Sequence, residues 1–151
     1  MFKARFIAQG SAALFSCLLL SSCSNSQSPL LDFLEASDFD SPVVNLVDVY
    51  GSEWIDFALI CADAPREYIA EVLELPSEQV SDLEGSEQSG IVYWSGDSVE
   101  SDLLDPSDAA LCNSSTPLAS KLTAPTLNFS QGTNGEWLLN NPPVTEPASS
   151  Q

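Results

Sequence analysis

In the pattern of apolar and polar positions the clearest strand runs from Trp54 to Cys61, where Ile55, Phe57, Leu59 and Cys61 fall on one face and Trp54, Asp56, Ala58 and Ile60 on the other. A period of two is that of a strand, and it points Cys61 with the more apolar face. Two further runs rich in β-formers predict strands: Val43 to Tyr50, closed by Gly51, and Ile91-Val92-Tyr93-Trp94. Between them the period changes. Asp63, Pro65 and Glu67 place an acceptor and negative charge where a helix start has free amides. Tyr68, Ile69, Val72, Leu73 and Leu75 can then line one side of that helix, with Glu67, Glu71 and Glu74 toward water. Near the end, Thr126 to Phe129 and Glu136 to Leu139 flank Gly132-Thr133-Asn134-Gly135, which predicts a hairpin.

The remaining segments are less patterned. Residues Pro29 to Phe39 carry Leu30, Leu31, Phe33, Leu34 and Phe39 among acids, and read either as a short amphipathic helix or as a segment that packs onto the domain late. Ser77 to Leu83 adds one or two helical turns, Gly85 to Gly90 is a loop, and the acidic, Pro-containing stretch Gly96 to Asp108 is mostly loop, with a short helix around Ser107 to Cys112. From Asn140 onward Pro, Ser and Thr dominate, and residues 141–151 read as a disordered tail. The order predicts an α+β fold over residues 41–140: a small, mainly antiparallel sheet with one or two helices on one face.

Residues 1–22 have the anatomy of a signal peptide: Lys3 and Arg5 at a short basic start, a mostly apolar run from Phe6 to Leu20, then small polar residues. A permanent membrane-spanning helix needs about 20 predominantly apolar residues. This run is shorter and contains Gln9, Gly10 and Ser11. It ends in Leu20-Ser21-Ser22-Cys23, which resembles the lipobox of bacterial lipoproteins. The resemblance covers only the leader and the first mature residue. It implies that the Cys23 thiol receives diacylglycerol, that cleavage occurs just before it, and that the new amino terminus is acylated, palmitate being a usual chain. Several acyl chains at about 0.8 kcal/mol per buried CH₂ give durable attachment where one gives marginal binding. Residues 23–40 then form the lipidated cysteine and a tether, with Ser24-Asn25-Ser26-Gln27-Ser28 its most polar part. The implied location is the extracytoplasmic side of a bacterial membrane, with the membrane itself a partner through Cys23.

That leader changes how charge and cysteine are read. All 22 acidic residues follow Cys23, against Arg66 and Lys121 alone, a formal charge of −20 for the mature part. Binding to phosphate backbones and anionic headgroups depends on Lys and Arg displacing counterions, so nucleic acid is excluded as a partner. The acidity reads chiefly as solubility in a crowded or salty medium, the alternative being attraction of cationic partners. Of four cysteines, Cys17 leaves with the leader and Cys23 goes to lipid. Cys61 and Cys112 remain, and in an oxidising compartment such a pair predicts a disulfide.

Histidine is absent, which removes Ser-His-Asp and Cys-His catalysis and His-based metal centres. A Ser-Lys dyad in S-x-x-K spacing would need Ser at position 118, which is Leu. No catalytic residue, cofactor or metal ligand is assigned. Trp54, Tyr93, Trp94 and Trp137 are candidates for a ligand surface, although aromatic residues on the strands of a small domain usually belong to the core. The acids Asp97, Glu100, Asp102, Asp105 and Asp108 have the oxygen ligands calcium favours, but not the spacing of an EF-hand loop. The sequence therefore reads as a non-enzymatic binding or interaction module for an envelope protein or ligand. The alternatives are a carboxylate-dependent hydrolase of envelope polymers and a calcium-dependent surface module.

Overall fold

The structure, a computed structural model, describes residues 28–143. Cys17, Cys23, the leader and residues 144–151 lie outside the described residues. Among the described residues the fold is α+β, with three α-helices and two four-stranded, mainly antiparallel sheets.

Its central element is the strand most legible in the sequence. β2 (Asp56–Ile60) lies in a sheet with β3 (Ser89–Ser95), β4 (Ser98–Leu104) and β6 (Ala119–Lys121), in the order β4-β3-β2-β6. Phe57 and Leu59 join one hydrophobic core, while Ala58 and Ile60 join a second on the opposite face. Both faces of this strand are buried, so its sheet is the middle layer of the molecule.

Outside one face lies α3 (Arg66–Leu73), which buries Ile69, Ala70 and Leu73 against Ala58, Ile60, Val92 and Trp94. A 3₁₀ turn at Ser77–Gln79 precedes Val80 and Leu83, which close the same core. The other face meets the second sheet, formed by β1 (Val43–Asn45), β5 (Ala109–Ala110), β7 (Thr126–Gln131) and β8 (Trp137–Leu139) in the order β1-β7-β8-β5. β7 and β8 form the expected hairpin, with Gly135 at φ +90° in the turn; the short β5–β8 ladder is parallel.

Five local expectations are corrected. α1 (Pro29–Glu35) belongs to the fold rather than to a tether running to residue 40: Leu30 and Leu34 are fully buried in the core between the sheets. After Val43–Asn45 the chain does not continue as a strand but turns into α2 (Leu46–Tyr50). The Asn45 side chain accepts the Val47 N–H at 3.2 Å, satisfying a helix-start amide and overriding the β preference of the valines. Asp63 does not cap α3; it sits at φ +61°, a conformation Asp tolerates, and the helix begins only after Pro65.

The acidic stretch expected as loop contains β4, paired with β3 from Ser89↔Leu104 to Ser95↔Ser98 around a two-residue Gly96-Asp97 turn. Gly96, at φ +59°, supplies the positive dihedral that a tight hairpin needs at that position. The helix expected near Ser107 to Cys112 is instead a turn followed by β5.

Candidate functional site

Cys61, just past β2, and Cys112, just past β5, are joined by a disulfide with Cα atoms 5.9 Å apart. The bond ties the end of β2 in the middle sheet to the segment that leaves β5 of the second sheet. Cys61 is buried with Phe57 and Leu59, on the face the alternation indicated.

The four aromatic candidates are not brought to one surface. Trp94 is buried beneath α3, and Trp137 lies in the core between the sheets. Only Trp54 and Tyr93 meet, edge to face at 4.8 Å, beside a stacked Tyr50–Tyr93 pair at 4.2 Å. This cluster holds structure together. Burial, then the Asp102 charge and hydrogen bond, then Tyr93, push the Tyr50 phenol far above its ordinary range. Tyr93 is raised by burial first, then by Asp102 and Glu100.

The acids considered for calcium are dispersed as well. Asp97 is in the hairpin turn, Glu100 is exposed on β4, and Asp105 accepts a hydrogen bond from Gln88. Asp102 is buried, and one of its oxygens accepts from Ser28 Oγ at 2.7 Å, Tyr50 Oη at 2.8 Å and the Leu30 N–H at 3.2 Å. Ser28 Oγ in turn accepts the Leu31 N–H. Asp102 thereby fixes the start of α1.

The features of the surface that invite a ligand lie elsewhere, where the chain passes from α1 to β1. Asp38-Phe39-Asp40 sits on the rim between two neighbouring recesses. One, of about 580 Å³, is lined by Phe33, Ala36, Phe39, Pro42 and Val43. Phe39 is 73% exposed and Val43 66% exposed, so two large apolar side chains stand in water side by side. The other recess, of about 410 Å³, is lined by Glu35, Asp38, Asp40 and Asp108 over a floor that includes Leu31 and Trp137. Neither Arg66 nor Lys121 lines either recess, and Lys121 bonds Glu74 on another face.

Sequence reasoning missed this site because it assigned residues through 40 to a tether. A signal was present in α1: Phe33 falls off the stripe made by Leu30, Leu31 and Leu34, so a helix that buries the stripe must expose Phe33. Compared with protein-family models, with curated proteins and with solved structures, the chain matches none.

Proposed function

We propose that this chain is a bacterial envelope lipoprotein, anchored through lipid on Cys23, whose folded domain is a non-enzymatic binding module. The leader and its Leu20-Ser21-Ser22-Cys23 sequence support the anchor. The observation that carries the binding reading is the apolar recess at Phe33, Phe39 and Val43, next to a recess lined by acids. A chain carrying 22 acids after Cys23 gains nothing in solubility from clustering exposed Phe and Val, and contiguous apolar surface of this kind marks interaction sites. Among the described residues no helix is long and apolar enough to cross a membrane.

Two measurements test the proposal. Intact-mass analysis of the chain from native membranes should show acyl mass on Cys23, lost in Cys23→Ser. Mild solubilisation of the envelope with a cross-linker should return one stoichiometric partner. A chain without acyl mass would remove the anchor. Turnover of cell-wall fragments, lost when Asp38, Asp40 or Asp108 is changed to Asn, would replace the binding reading with a hydrolytic one.

A further inference from the structure

Resting on the binding-module reading, we infer that the paired recesses around Phe39 receive a basic amphipathic segment of a partner protein. Its apolar side chains would lie against Phe33, Phe39 and Val43, and its Lys or Arg side chains would reach over the Asp38-Phe39-Asp40 rim toward Asp40 and Asp108. Three features lead to this occupant. Phe39 stands between two carboxylates in the chain, and the side chains of Asp38 and Phe39 border both recesses, so an occupant of the apolar recess meets negative charge at its edge. Among the described residues neither Arg66 nor Lys121 lines these recesses, so the carboxylates of Asp38, Asp40 and Asp108 meet no cation there and can be complemented from outside. The formal charge of −20 beyond the leader opposes the other coverings of an apolar face, a second copy of the chain or an anionic bilayer.

Apolar contact and charge then have separate tasks. Phe39 and its neighbours supply the desolvated anchor that governs how long a complex lasts, while the rim acids select sign and speed encounter. A segment with basic residues on one side and apolar residues at helical spacing on the other satisfies both at once.

The test uses the full chain in zwitterionic nanodiscs, with empty discs as the blank, titrated into a dye-labelled helical Lys/Leu peptide. A Lys/Ser peptide of equal charge and a Glu/Leu peptide of equal apolarity serve as comparisons. The Lys/Leu peptide should bind the most tightly. Phe39→Ser and the pair Asp38→Asn with Asp40→Asn should each weaken it about tenfold or more. Ile55→Ser, which removes an equally exposed apolar side chain outside both recesses, should leave affinity unchanged. Equal binding of the Lys/Ser or the Glu/Leu peptide, an unaffected Phe39→Ser chain, or equal weakening by Ile55→Ser would overturn the inference. So would capture of an envelope partner with full yield by the Phe39→Ser chain, which would leave the binding-module reading standing.

Discussion

Tyr50 hydrogen-bonds through its hydroxyl to the Asp102 carboxylate across 2.8 Å, joining α2 to β4 at the carboxylate that also accepts the Leu30 N–H of α1. The acceptor is an acid within the core margin that no cation neutralises in the described residues, so its donors matter more than those of a surface carboxylate. Removing one of them by Tyr50→Phe keeps the ring stack on Tyr93 and deletes a single charge-assisted hydrogen bond. We expect a loss of about 1.5–3 kcal/mol in urea unfolding. An unchanged unfolding midpoint would show that the bond contributes nothing.

The same phenol makes stability depend on alkaline pH. The folded-state pKa of Tyr50 is raised, chiefly by burial and then by Asp102, so the folded chain keeps a proton that the unfolded chain gives up near the ordinary phenol value of about 10. The resulting stabilisation is complete below that pH and is lost above it, with a limiting slope of about 1.4 kcal/mol per pH unit. In Tyr50→Phe the part of the alkaline slope due to this group should vanish. If the native protein ionised all three of its tyrosines together near the ordinary phenol pH, the sign would be wrong.

A third expectation separates the two sides of the chain around α1. Leu34→Ala removes a fully buried side chain and should cost about 2–5 kcal/mol, whereas Phe39→Ser should stay within about 0.5 kcal/mol of the parent. Thermal unfolding of the two variants side by side reads the difference. A Leu34→Ala chain as stable as the parent would return this segment to the status of a tether.

Cys61→Ser should cost roughly 2–5 kcal/mol, through the lost cross-link between positions 51 residues apart and an unpaired thiol left at Cys112. Peptide mapping of the oxidised protein should find Cys61 and Cys112 in one linked fragment. Two free thiols there would refute the bond.

The elements legible in the sequence were those in which pattern and burial agree. β2 is apolar on both sides because its two faces meet different cores, α3 carries Ile69 and Leu73 one turn apart, and the β7–β8 hairpin announces itself through its glycines. Cys61 and Cys112 followed from subtracting the two cysteines of the leader region. β4 was hidden because strand pairing uses the backbone: Glu100 projects to water, and Asp102 enters the core only because Ser28, Leu30 and Tyr50, distant in sequence, supply donors. The helix after Asn45 was hidden for a like reason, since a cap and a bond from the Leu46 N–H to the Pro125 carbonyl outweigh the β preference of Val47 and Val49. The recess at Phe39 escaped notice because no single residue in it is unusual; its meaning comes from Val43 and Asp108 being folded next to it.

Because α1 is locked down from Ser28 onward, any lipid on Cys23 is separated from the folded body by only five residues, a reach of at most about 18 Å. A leash running to residue 40 would have allowed about 60 Å. If Cys23 carries the proposed lipid, so short a leash would keep the domain from sampling the depth of the envelope and hold it in a thin shell against the bilayer. The proposed partner would then be sought among components that share that bilayer or come to within one domain's width of it.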